Sequence, residues 1–325
     1  MKVSHAIGEI LKREGVEVIT GYPVNHILEG AAAANVRPII VRQERVGLHM
    51  ADAISRTTSG DKIGVFVMQH GPGSENAFGG VAQAFGDSVP IVVLPMGFPR
   101  NLQNISPNFS SLLNFQHVTK WVEQVSLPQE IPNALRRAFT QAKNGRPRPT
   151  MIEIPSDVMT AEIADDFHYV PAPRVKVGPD PQLVKEAAEV LVKAERPVIY
   201  AGQGVHYAKA WSQLKELAEL LEAPVTTSIQ GKSAFPEDHR LSLGCAGRSL
   251  PRAAWEFIQN SDVIFGIGCS FSSTNYGTTM PKGKTIIHAT LDSLDLNKDV
   301  ESQHQILGDA GLTLDALLLE VKDRL

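Results

Sequence analysis

Two stretches of this chain constrain its fold more than any others. Ile-Gly-Val-Phe-Val-Met at 63–68 and Pro-Ile-Val-Val-Leu-Pro at 90–95 show no polar alternation. A strand with one face in water alternates apolar and polar side chains, so such runs suit parallel strands covered on both faces. Helical patterning stands between them. Ser4 can cap a helix whose apolar positions Ile7, Ile10 and Leu11 share one face, and Gly15 supplies a left-handed stop. The spacing then predicts strand 16–19, helix 25–34, strand 38–42, helix 45–59, strand 63–68, helix 74–85 and strand 90–95. After a looser stretch rich in Asn, Ser and Pro at 97–110, helix 132–143 and strand 150–154 follow.

The closely spaced prolines of 165–181 favour an extended connection without helix. The chain is therefore expected to hold one domain at 1–164, a linker at 165–181 and a second domain at 182–325. In the second, the alternation restarts with helix 181–194, strand 197–201, a turn at 202–204 and helix 208–221. Strand 224–227, helix 251–260, strands 262–267 and 284–291, and a last helix complete it. The fold class is α/β, with two open, mostly parallel sheets, each flanked by helices on both faces.

Charge and composition exclude several functions. A net charge of -4 over 325 residues leaves no basic stripe for nucleic acid and no polybasic anchor for a membrane. The N-terminus has no continuous apolar core of a signal peptide, and no later run approaches the roughly 18 apolar residues of a membrane span. A cytoplasmic location is expected. Cys245 and Cys269 lack the Cys-x-x-Cys spacing of a zinc or redox site, and both are expected as buried, reduced thiols.

Ligands of an open parallel sheet sit beyond the carboxyl ends of its strands. Glu44, His70 and Gly21-Tyr22-Pro23 all occupy such ends in the first domain. Glu44 reads in two ways: as a first-turn acid favoured by the helix dipole, or as a carboxyl group that shares a proton in a dry pocket. Arg42 and Arg45 flank it and would hold an exposed carboxylate ionised. His70 is either a hydrogen-bonded bystander or a proton-transfer group. Gly71-Pro72-Gly73 places no large side chain on a short path, so a flat ring can approach the backbone, and Ser74 can cap the next helix. Gly202-Gln203-Gly204 follows a strand and opens a helix; it is either a structural turn or a weak nucleotide signal. Gly231-Lys232-Ser233 fails as a phosphate loop because Thr226 stands where a glycine is required. The sequence has no Gly-x-Ser-x-Gly elbow and no His-Glu-x-x-His.

Taken together, Gly21-Tyr22-Pro23, Arg42-Gln43-Glu44 with Met50-Ala51-Asp52-Ala53, His70 to Asn76, and Asp87-Ser88-Val89-Pro90 resemble the first domain of thiamine diphosphate enzymes of the acetohydroxyacid (acetolactate) synthase type. Arg196-Pro197-Val198, Gly202-Gln203-Gly204, Ala223-Pro224-Val225, the run Gly231 to His239 and Gly308-Asp309-Ala310 resemble that family's central domain. The resemblance implies that Glu44 bonds the N1' nitrogen of the cofactor's aminopyrimidine and promotes loss of the thiazolium C2 proton. Decarboxylation of a 2-keto acid follows, with transfer to a proton or a second carbonyl. Pro23, Gly73 and Asn76 would line the pyrimidine pocket. The electron sink is the cofactor's, while protein groups orient it.

Three departures qualify the resemblance. A histidine at position 70 is similar to benzoylformate decarboxylase rather than to the synthases, which carry a small hydroxyl residue. Gly268-Cys269-Ser270-Phe271 stands where the synthases have Gly-Ala-Arg-Phe near flavin, so FAD at Gly202 and Gly204 is in question. The family's Gly-Asp-Gly magnesium motif is missing, and Gly86-Asp87-Ser88 with Asn114 mimics only its spacing. A separate diphosphate-binding domain or subunit, holding Mg2+, is therefore expected as partner, together with homo-oligomer formation and no activity from this chain alone. The competing expectation is a non-catalytic nucleotide- or flavin-binding regulator or scaffold derived from the same family.

Overall fold

The computed structural model describes residues 1–103 and 105–325. Asn104, inside the looser stretch at 97–110, lies outside the described residues. The chain divides into two compact units, Met1–Val175 and Lys176–Leu325.

In the first unit the strands are β1 (Val18–Gly21), β2 (Arg37–Ile40), β3 (Gly64–Met68), β4 (Ile91–Gly97), β5 (Trp121–Gln124) and β6 (Thr150–Pro155). All pair in parallel, in the order β2-β1-β3-β4-β6-β5. The helices are α1 (Val3–Arg13), α2 (Ile27–Ala33), α3 (Glu44–Thr57), α4 (Pro72–Gly86), α5 (Ser111–Phe115), α6 (Ile131–Lys143) and α7 (Ser156–Thr160). The unbroken apolar strands have the expected cause. Val65, Val67, Val92 and Leu94 face a layer built from α1, α2 and α6. Their neighbours Phe66, Met68, Ile91 and Val93 face the opposite layer, with Leu48 and Ala51 of α3 and Ala77 and Val81 of α4. Each fully buried Phe, Leu or Ile in these layers contributes about 1.5–3 kcal/mol.

The second unit repeats the plan with β7 (Pro197–Ala201), β8 (Val225–Thr227), β9 (Ser242–Cys245), β10 (Val263–Ile267), β11 (Thr285–Thr290) and β12 (His304–Leu307). They are also parallel, in the order β12-β11-β10-β7-β8-β9. Its helices are α8 (Pro181–Lys193), α9 (Gly204–Ala208), α10 (Trp211–Leu220), α11 (Arg252–Asn260) and α12 (Ala310–Lys322). Leu191, Leu214 and Leu314 cover one face, and Ala254 and Ile258 of α11 cover the other.

Several local expectations are corrected. Helix α1 begins at Val3, so Ser4 is a buried residue inside the helix rather than its cap; Gly15 does take the left-handed conformation. Helix α4 begins at Pro72 with Gly71 as cap, at φ 58°, because proline suits the first helical position; Ser74 lies two residues inside. The helix read at 208–221 starts only at Trp211, as α10, and a short helix not expected from the sequence, α9, precedes it across the left-handed Lys209. Cys245 is only half-buried, because it ends the edge strand β9, whereas Cys269 is buried as expected. Residues 167–180 form no helix or strand, yet Tyr169 and Ala172 are buried in the first unit's core.

Candidate active site

Strand order fixes where a site can form. In the first unit β1 leads outward to β2, whereas β3 leads the other way to β4, so the crevice of the topological switch opens at the carboxyl ends of β1 and β3. The loops there are 22–26 and 69–71, with the start of α3 beyond β2.

Glu44 is the first residue of α3, preceded by the extended Gln43, and is only 3% exposed. The inward stripe of α3 runs Glu44, Gly47, Leu48, Ala51, Asp52 and Ser55, at helical spacing, so the acid faces the same way as the core residues. Arg42 and Arg45 point elsewhere and are exposed; among the described residues neither pairs with Glu44. The only side-chain donor to Glu44 among the described residues is Asn76 of α4, whose Nδ2 lies 3.2 Å from Oε2. Gly73 closes this group. A Cβ built on it would stand 2.8 Å from Gln69 Cγ and 3.6 Å from Glu44 Oε1.

The structure therefore brings Glu44, Gly73 and Asn76 together. Pro23 stands exposed after β1 and joins them through no hydrogen bond. His70 is half-buried with its ring tilted against Phe98, centroids 4.3 Å apart, and its buried Nδ1 has no hydrogen-bond partner among the described residues.

Sequence reading missed Asn25, taken there as the first residue of a helix. Asn25 is buried before α2, and its amide donates to the carbonyls of Met68 at 2.8 Å and Leu94 at 3.2 Å, while its Oδ1 accepts from Ile27 N–H at 2.9 Å. It ties the segment after β1 to the end of β3 and the middle of β4. An Asn between a strand end and a helix is the signal for such a turn. Next to it Val24 has φ 68°, a strained choice for a β-branched residue. Arg56 was missed too: it bonds Asp52 at 2.8 Å and Asp87 at 3.0 Å, so two motifs quoted for the family form one bracket between α3 and the end of α4.

In the second unit the switch lies between β7 and β10, where Gly202-Gln203-Gly204 meets Gly268-Cys269. Backbone packing accounts for these glycines. A Cβ on Gly202 would fall 2.3 Å from the Gly268 carbonyl oxygen, and one on Gly204 would fall 2.7 Å from Gly268 Cα. The Gly204 N–H is consumed at 2.8 Å by that same carbonyl.

Comparison with known proteins bears on the family and the fold. The N-terminal TPP-binding domain of thiamine pyrophosphate enzymes matches residues 1–127, and the central domain of the same enzymes matches 184–317. The chain belongs to the thiamine pyrophosphate enzyme family. Among relatives of that family, the "Probable acetolactate synthase large subunit" of Methanocaldococcus jannaschii is 36% identical over 343 residues, covering 100% of this chain and 58% of the relative. The acetolactate synthase isozyme 3 large subunit of Escherichia coli is 32% identical over 321 residues, covering 94% of this chain and 55% of the relative. The chain thus spans little more than half the length of these relatives. In fold it matches benzoylformate decarboxylase from Polynucleobacter necessarius with a TM-score of 0.85 at 23% identity, covering 98% of this chain and 61% of that one. No helix among the described residues is long and apolar enough to cross a membrane.

Proposed function

We propose that this chain forms the pyrimidine-binding and central portion of a thiamine diphosphate-dependent enzyme that decarboxylates a 2-keto acid or joins it to a second carbonyl. One observation carries the reading: Glu44 is a buried carboxyl at the carboxyl end of a parallel sheet, bonded among the described residues by one side-chain amide, that of Asn76, with Gly73 beside its Oε1. A carboxyl so placed fits the ring nitrogen of a flat heterocycle, with which it can share a proton in a dry setting. Thiamine diphosphate, when bound, supplies the carbon acid and electron sink.

The chain's own residues have these roles in the proposal. Glu44 holds and returns the proton at its carboxyl oxygens, and Asn76 orients that carboxyl from α4. Gly73 lets the ring approach, with Pro23 lining the far side. His70, whose Nδ1 is buried and unpartnered among the described residues, moves a proton at the reacting substrate. The diphosphate and Mg2+ are assigned to another domain or subunit, a reading supported by the match to the N-terminal and central family models and by the chain's spanning 58% and 55% of two relatives. Flavin is not included, because the Gly204 N–H and the faces of Gly202 and Gly204 are already engaged by Gly268.

The test is deuterium exchange at C2 of the cofactor, with a diphosphate-binding domain of a relative added to the chain. Glu44→Gln is expected to slow exchange by about 100-fold or more, the scale of a general acid-base contribution. Exchange at the wild-type rate would remove Glu44 from the mechanism. Pyruvate decarboxylation by the purified chain alone would overturn the need for a second domain.

A further inference from the structure

Glu153 of β6 is a second buried acid, 4% exposed, with no place in the chemistry above. Its carboxyl accepts the Leu112 N–H at 2.9 Å and the Gln124 amide at 3.1 Å, and the neighbouring Ser111 hydroxyl lowers its pKa as a hydrogen-bonding group. Gly97 of β4 packs directly on it, a Cβ there falling 2.8 Å from Oε1. From Ser111 the contacts continue. Ser111 Oγ lies 3.0 Å from Ser74 Oγ, and Ser74 Oγ lies 3.4 Å from the carbonyl oxygen of Gln69, the peptide that precedes His70.

We propose that Glu153 is a positioning residue whose protonation sets the direction of a Ser111–Ser74 hydroxyl relay ending on the Gln69 carbonyl, and so conditions the loop that carries His70 and Gly73. The argument is a count of hydrogens. Each hydroxyl has one hydrogen to give. When Glu153 is ionised it is acceptor-only, so Ser111 donates to it, Ser74 turns to donate to Ser111, and the Gln69 carbonyl goes without. When Glu153 gains one proton from solvent, its O–H donates to Ser111, Ser111 to Ser74, and Ser74 to the Gln69 carbonyl. Every hydroxyl keeps its own hydrogen in both states; only the directions reverse.

The surroundings favour an accessible protonated state. Burial pushes the Glu153 carboxyl above the usual carboxylate range, against its hydrogen bonds to Leu112, Gln124 and Ser111, which pull the other way. No charged side chain among the described residues bonds to it. On β5, Glu123 is paired with Arg137; on α7, Asp157 is paired with Arg100; on α4, Glu75 is exposed; and β4 and α5 present only backbone and uncharged groups there.

The relay's effect on catalysis rests on the proposed roles of Gly73 and His70, but its existence does not. Backbone NMR of the whole chain tests it, following the Gln69 carbonyl carbon and the His70 amide nitrogen from pH 4 to 8. The expected result is a shared inflection above the ordinary glutamate range, lost in both Glu153→Gln and Ser111→Ala. If Glu153→Gln does not fold, Ser111→Ala and Ser74→Ala decide, since each removes only a hydroxyl. An inflection that survives either serine variant, or none in the wild type, overturns the proposal. Should the inflection follow these variants while Glu44→Gln leaves C2 exchange unchanged, the catalytic reading fails and the relay stands.

Discussion

Asn25→Ala should cost the first unit about 3 kcal/mol. The Asn25 side chain is buried and makes three bonds, to the Met68 and Leu94 carbonyls and from the Ile27 N–H. A typical bond contributes about 1 kcal/mol net, and here water cannot readily replace the lost partner. Pro95, in register with Met68, has no N–H to offer at this end of the sheet, which makes the amide hard to substitute. The nearly isosteric Asn25→Asp should be worse than alanine at pH 8, because it turns a carboxylate toward two carbonyl oxygens. Burial raises the pKa of the introduced acid, so its deficit is full above that pKa and shrinks as pH falls toward about 4. Urea unfolding read by Trp121, which lies in the first unit, measures both variants once Trp211 and Trp255 of the second unit are changed to Phe. An alanine cost below about 1 kcal/mol, a third of what three such bonds imply, would refute the role given to Asn25. So would an aspartate variant as stable as wild type at pH 8.

Two further outcomes are expected in the second unit. Gly204→Ala drives a Cβ to 2.7 Å from Gly268 Cα and should destabilise that unit by about 1–3 kcal/mol, read by Trp211 and Trp255 fluorescence; an unchanged midpoint would mean that the glycine serves something other than loop packing. His288 is fully buried with Nε2 3.0 Å from the Cys269 carbonyl, and burial lowers its pKa, so the folded state resists the proton that the unfolded chain accepts. Its contribution is therefore complete above the unfolded value near 6.5 and is lost as pH falls below it, by up to about 1.4 kcal/mol per pH unit. His288→Phe should flatten the acid side of the stability profile, and an unchanged slope between pH 6.5 and 5 would exclude it.

Much of the fold was legible because each parallel strand, covered on both faces, must be apolar throughout, and β3, β4 and β7 announce this locally. Other strands were hidden. Trp121–Gln124, Ser242–Cys245 and His304–Leu307 lie at sheet edges, where one side lacks a neighbour and the apolar run shortens or breaks. Helix α9 and its left-handed end at Lys209 were also hidden, because a left-handed lysine leaves no compositional mark. For the candidate site, Glu44 and the Gly71-Pro72-Gly73 turn stood out by position after a strand. Asn25, Phe98 and Glu153 did not, since their partners lie far along the chain.

The sequence alone determined which residues could face a shared core, where strands end, and that an acid and a glycine turn occupy such ends. Those properties follow from side-chain periodicity and backbone permissiveness, which are local. Only the tertiary structure decided that Glu44 is dry and free of its two arginine neighbours, that Asn76 rather than a cation holds it, and that Gly202 and Gly204 are filled by the Gly268 loop. Burial, pairing and close backbone approach depend on what crosses over from distant segments, and no local pattern contains that information.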